Sequence, residues 1–291
     1  MEKKSLEILI KNTNEFNITH ILECGQVFRF KKHDFGYIVY ASDKKMEVIC
    51  QKNSTKIFCD DIEFVKNYFD MSTNYANIKK KLMVHNFMQK PIKEVYGIRI
   101  LKQLPLEMLI SFIISANNNI PRIKKTLEKI CEKYGTNMGD YYAFPTIQQL
   151  ANIPIEFFKK AGAGYRDKYL YETIKMLSNG YNLGRLYNLK TEDARKELIK
   201  FKGVGRKVAD CILLFGFGKT DVFPTDTWVV KVYKELYGKN LPANKVSEHF
   251  EKLFGENGGY AQQYLYYERM IRNKKEKIND NNQKNCTTCG C

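Results

Sequence analysis

The chain has 291 residues, 44% of them hydrophobic, and sets 48 Lys and Arg against 32 Asp and Glu for a net charge of +16. That length accommodates about two domains with a substantial core, and the cationic excess points to a polyanionic partner, although a well-solvated surface gives the same balance. The longest apolar stretch, Met108 to Ala116, is far below the ~20 residues that a helix needs to span a bilayer.

The N-terminus, MEKKSLEILIKN, has charges but no apolar targeting core, so a cytoplasmic location is expected, with nucleoid association if the source is prokaryotic. Residues 26 to 60 alternate in strand fashion (VFRF, YIVYAS, KMEVIC, TKIFC) between short polar turns, which predicts an antiparallel sheet. From about Asp61 nearly every segment has the helical period, broken by Gly, Pro and Asn. The fold class is α+β, a small N-terminal sheet domain with a helical connection (1–98) and a larger helical body (99–271). A polar tail follows over 272–291, and its composition reads as disordered.

Within the helical body, SANNNIPRI (Ser115 to Ile123) ends one helix and starts another, and its asparagines suit a polar turn. AGAGYRDKY (Ala161 to Tyr169) reads as a glycine-rich connector. The stretch 192–216 is predicted to be a helix-hairpin-helix. Thr191-Glu192-Asp193 cap a helix ending near Phe201, Gly203-Val204-Gly205 turn the chain, and a second helix begins near Arg206. Two glycines permit positive φ, so that successive N–H groups at a helix start hold a phosphate; a tight turn between two core helices would look much the same.

Lys207 falls in the first turn of that second helix, at the positive end of its dipole, beside Arg206 and near Lys202. Both influences disfavour an ammonium, so a depressed, nucleophilic amine is expected. A surface lysine paired with Asp210 is the plainer alternative. Cys211, four residues on, shares its face. A loop with Gly216, Gly218 and Pro224 leads to Asp226, nineteen residues beyond the lysine and placed to cap the next helix. A carboxylate there also suits the oxocarbenium-like transition state of N-glycosidic cleavage. GYAQQYLYY (Gly259 to Tyr267) carries an aromatic stripe at helical spacing, by itself a core pattern. Cys286, Cys289 and Cys291 are one ligand short of a closed metal site, so a loose redox-active tail and no metal are expected, with metal binding the alternative.

The hairpin, the lysine, the Gly/Pro loop and the aspartate together resemble the helix-hairpin-helix superfamily of base-excision DNA glycosylases. KGVGRKVADC (Lys202 to Cys211) is similar in particular to its 8-oxoguanine DNA glycosylase/lyase branch, and the likeness covers most of the chain. It implies a bifunctional enzyme that extrudes and excises 8-oxoguanine opposite cytosine, with Lys207 as Schiff-base nucleophile and Asp226 assisting, and then nicks the strand by β-elimination. It implies a lesion pocket of Gly25, Cys211, Gln262 and Tyr266, contacts of Asn117, Arg122 and Arg166 with the opposite base, and Tyr165 as the wedge entering the stack. Gly203, Val204 and Gly205 would hold the DNA backbone. The partner is then double-stranded DNA bearing an oxidised guanine, bound by a monomer without metal or organic cofactor. Two residues depart from the family pattern. Tyr266 stands where phenylalanine is usual, and Trp228 stands where histidine lies near the lesion phosphate, so backbone contact there is open. A glycosylase for another lesion and a non-catalytic DNA-binding module are the alternatives.

Overall fold

The structure, a computed structural model, describes residues 6–287, with side chains as far as 276. Five strands, β1 (Leu6–Ile10), β2 (Phe30–His33), β3 (Gly36–Ala41), β4 (Lys44–Gln51) and β5 (Ser54–Cys59), form one antiparallel sheet of order β1-β5-β4-β3-β2. The alternation read from the sequence continues in the burial. Tyr37, Val39, Ala41, Met46, Val48, Ile57 and Cys59 point to one face and are buried against α1 (Ile18–Glu23) and α2 (Ile62–Tyr68). Two differences from expectation have local causes. β1 was not anticipated, because LEILI alternates too briefly to be told from a leader until β5 pairs with it. VFRF begins as extended linker: Val27, Phe28 and Arg29 are all buried, and pairing starts only at Phe30.

The helical part comprises α3 (Tyr75–Leu82), α4 (Asn86–Glu94), α5 (Pro105–Ser115), α6 (Ile120–Tyr134), α7 (Ile147–Ala151), α8 (Ile155–Ala161), α9 (Asp167–Ser178), α10 (Thr191–Ile199), α11 (Arg206–Phe217), α12 (Thr227–Tyr237), α13 (Ala243–Phe254) and α14 (Gly258–Thr287). α5 is buried from Glu107 to Ile114, as its apolar composition demands, and packs on the equally buried α11 with Phe112 stacked on Phe215 at 5.6 Å. This pair is the axis of one core. A second core joins α3 and α4 to α12, α13 and α14, so the helices that follow the sheet pack with the C-terminal end of the chain. None of the described helices is long and apolar enough to cross a membrane.

The run from Arg272, whose composition reads as disordered, continues α14 to Thr287; no glycine or proline interrupts it after Gly259. The side chain of Cys286 and all of Cys289 and Cys291 lie outside the described residues.

Candidate active site

α11 starts at the hairpin. Gly203 has φ +82°, and a Cβ there would come within 2.5 Å of the Tyr169 ring, so both conformation and space require glycine. Gly205 differs from expectation: its backbone is extended (φ −88°), it caps α11 without a side chain, and a Cβ would meet nothing within 4 Å. One positive φ therefore makes the turn, and the second glycine leaves open space in front of the first N–H groups of α11, which have no partner within the helix. Val204 is buried and anchors the turn in the core. Thr191 does not cap α10; it sits one position inside the helix and its hydroxyl bonds the Asp221 carboxylate at 2.7 Å. Gly216 belongs to α11 and lets it close on Pro105 and Met108, while Gly218, φ +66°, ends the helix.

Lys207 is half-buried, its Nζ 5.8 Å from the centre of the Phe112 ring. The expectation of a depressed amine is overturned. The sulfur of Cys211 holds the ammonium above the usual lysine value, burial pulls the other way, and Asp226 adds to the raise. The neighbours invoked from sequence are elsewhere. Arg206 turns to Glu251 at 2.9 Å and Asp210 at 3.8 Å, and Asp210, fully buried, is held by Arg195 at 2.5 Å. That network also removes Asp210 as a partner for Lys207. Burial pushes the Cys211 thiol up. Asp226 caps α12, its Oδ1 accepting from the Trp228 and Val229 N–H groups at 2.9 and 3.0 Å, and among the described residues its second oxygen has no hydrogen-bond partner.

α14 closes the other side. A Cβ on Gly259 would fall 2.3 Å from Leu214, and one on Gly258 would fall 2.9 Å from the Val222 carbonyl, so this glycine pair lets α14 start directly against α11. Gln262 is 6% exposed and its Oε1 has no hydrogen-bond partner. One turn on, Tyr266 lies against Gly25 (φ +82°), with its Cε1 and hydroxyl 3.5 and 3.6 Å from where a Cβ would be. Burial raises the phenol far above its usual range, and Asp226 adds to the raise. Gly25, Cys211, Gln262, Tyr266, Lys207 and Asp226, drawn from three distant stretches of sequence, are thus brought to one place.

Residues that the sequence did not mark hold this arrangement. Gln263 donates to the Cys24 carbonyl at 2.8 Å, tying α14 to the Gly25 segment. Gln26, fully buried, donates to the Ile21 and Arg99 carbonyls at 2.9 and 2.8 Å and accepts from the Leu101 N–H at 2.8 Å. The only sequence signal was the doublets, GG at 258–259 and QQ at 262–263.

The expected opposite-base residues gather between α5, α6 and α9. The three asparagines divide their work: Asn118 donates to the Ile114 carbonyl at the end of α5, Asn119 caps α6, and Asn117, at φ +48°, leaves its exposed side chain unengaged. Arg122 reaches the Gly162 carbonyl at 3.0 Å. Tyr165 is 55% exposed, with the Arg166 guanidinium 4.3 Å from its ring centre. Arg166 itself is buried and spends its donors on the Ala116, Asn117 and Ala163 carbonyls, so in the free chain it pins the two loops together and does not present itself to a base. Trp228 is 38% exposed and carries Lys231 over its ring at 4.6 Å, so a cation stands next to the indole.

Comparison with known proteins identifies the family. Residues 8–109 match the N-terminal domain of 8-oxoguanine DNA glycosylase, and residues 110–256 match the HhH-GPD superfamily of base excision DNA repair proteins. The chain is 30% identical over 237 residues to a "Probable N-glycosylase/DNA lyase" of Methanothermobacter thermautotrophicus, covering 72% of this chain and 74% of the relative. It is 27% identical over 279 residues to the N-glycosylase/DNA lyase of Saccharomyces cerevisiae, covering 83% and 73%. The Clostridium acetobutylicum 8-oxoguanine glycosylase/lyase, solved with double-stranded DNA containing cytosine opposite 8-oxoguanine, superposes with a TM-score of 0.87 at 38% identity over 93% of this chain and 98% of that one. With both halves matched, and with the lysine and aspartate set at the starts of neighbouring helices behind a hairpin, the chain belongs to the HhH-GPD superfamily of base excision DNA repair proteins, in the branch that carries the 8-oxoguanine DNA glycosylase N-terminal domain.

Proposed function

We propose that this protein is a bifunctional 8-oxoguanine DNA glycosylase/lyase acting on duplex DNA, preferably with cytosine opposite the lesion. The observation that carries the reading is the meeting of Lys207, Cys211 and Asp226 with Gly25, Gln262 and Tyr266. The open N–H groups beyond Gly205 hold a phosphate, and Tyr165 fills the gap that the extruded nucleotide leaves. The base enters between Cys211 and Tyr266. Gly25 can approach its edge because it has no side chain, and the unpaired Oε1 of Gln262 accepts from it. Asn117 and Arg122, with a guanidinium fork suited to ring acceptors, face the opposite cytosine.

Lys207 rests as an ammonium; once its proton has passed to solvent, the neutral amine bonds to C1′ as the bond from C1′ to the base nitrogen breaks, and the base leaves with that electron pair. The free oxygen of Asp226 faces the positive charge that develops on the sugar. The bound sugar opens to a Schiff base, and loss of a C2′ proton expels the 3′ phosphate by β-elimination. Borohydride added during reaction with an 8-oxoguanine:cytosine duplex is expected to trap a covalent protein–DNA adduct, and Lys207→Gln to abolish it. An adduct that persists in that variant, or excision of some other lesion in place of 8-oxoguanine, overturns the reading.

A further inference from the structure

We propose that Trp228 and Lys231 form a single contact for the DNA backbone beside the active site, the indole carrying the Lys231 ammonium to a phosphate that flanks the extruded nucleotide. The inference deepens the proposed function and rests on it for the nucleotide's place against Lys207 and Asp226.

The placement comes from α12. This helix turns Val229 and Tyr233 into the core, and Asp226 caps its start. Trp228, the only tryptophan of the chain, stands two residues beyond that carboxylate and is 38% exposed, although a side chain of its size is as a rule largely enclosed. Lys231 lies one turn on, on the same side of the helix. Helical side chains lean toward the N-terminus, so its stem runs back along the helix, and its Nζ stands 4.6 Å from the centre of the indole. The ammonium is thereby held toward the Asp226 end of α12. Its charge is also free. Glu235 is the only carboxylate within α12, and it is taken by Arg269 and Arg272. Among the described residues, Lys231 has no ion pair or hydrogen bond, and the indole face is what positions it. A cation held in place without a counter-ion is complementary to an anion brought from outside.

The substrate supplies that anion. A deoxyribose whose C1′ faces Lys207 and Asp226 carries a phosphate on each side, and the one toward α12 meets Trp228 and Lys231. The Trp228 and Val229 N–H groups are spent on Asp226, so side chains make the contact: the Lys231 ammonium and the single N–H of the indole. The contact positions the strand and reads no base. It differs in kind from the hairpin, which offers backbone N–H groups, and it holds the strand on the other side of the lysine and aspartate.

The single tryptophan makes the contact directly visible. On titration with a duplex carrying a stable abasic-site analogue, Trp228 emission is expected to change in step with binding. Lys231→Gln is expected to bind roughly five- to tenfold more weakly in ~0.1 M salt, and its slope of log affinity against log salt to be shallower by about one. Trp228→Ala, which leaves the lysine without its support, should lose about as much, and the double variant little more than either. A neutral methylphosphonate at one of the two positions flanking the analogue should weaken the unsubstituted protein by a similar factor and leave Lys231→Gln unaffected. An unchanged salt slope in Lys231→Gln overturns the proposal, as does Trp228 emission that ignores saturating DNA. Fully additive losses in the double variant, or a methylphosphonate penalty equal in both proteins at both positions, overturn it too. Failure of the unsubstituted protein to prefer the abasic-analogue duplex over an undamaged one is a separate result, seen before any variant is compared, and it would count against the proposed function itself.

Discussion

Lys207 was recognisable by its place in the chain, but its electrostatics depend on side chains far away in sequence. In one dimension its neighbours are Arg206 and Lys202; in three, Arg206 is drawn off by Glu251 and Asp210, and the groups that bear on the amine are Cys211 and Asp226. The sign of the shift reverses for that reason, and a pH dependence follows from it. The attacking species is the neutral amine, the ammonium is held above its usual value, and so the reactive fraction keeps growing as pH rises through neutrality. Single-turnover trapping is expected to climb roughly tenfold per pH unit between about pH 6 and 9 without a plateau. A plateau near neutrality would mean that bound DNA depresses the lysine. The asparagine run makes a similar point. Three identical residues become a helix end, a helix start and one free side chain because each meets a different backbone group.

At the scale of elements, the hairpin was legible as a turn between two helices, yet the two glycines serve different ends. Gly203→Ala should destabilise the fold by about 2–4 kcal/mol, since it combines a left-handed backbone with a contact that the Tyr169 ring cannot yield easily. Gly205→Ala should leave the urea midpoint nearly unchanged and weaken DNA binding, because the added methyl enters only the space in front of the α11 N–H groups. Equilibrium unfolding alongside duplex titration of the two variants checks both statements; equal loss of stability would show that Gly205 too is a packing residue. The period-2 pattern likewise predicted four of the five strands, whereas β1 needed its partner β5 to be identified. α14 outlasts its polar composition because no breaker interrupts it.

For the whole molecule, the active site exists because the first and last parts of the chain are tied together. Gln263 on α14 holds the Cys24 carbonyl, and Gln26 joins α1 to the segment at Arg99 and Leu101. Gln26→Leu would leave those buried carbonyls and an N–H unpaired, and a loss of about 3 kcal/mol or more is expected in urea unfolding. A change below about 1 kcal/mol would show that water replaces the amide. Composition and pattern by themselves determined a basic α+β chain, a sheet followed by helices, and a hairpin with a lysine and an aspartate at fixed spacing, because those properties reside in local periodicity, turn residues and charge. Only the tertiary structure decided which charges surround the lysine, which asparagine is free, that Arg166 is spent inside, and that a glycine pair brings Gln262 and Tyr266 up to Cys211. Burial, desolvation and hydrogen-bond completion are set by neighbours hundreds of residues apart, and no window along the chain contains them.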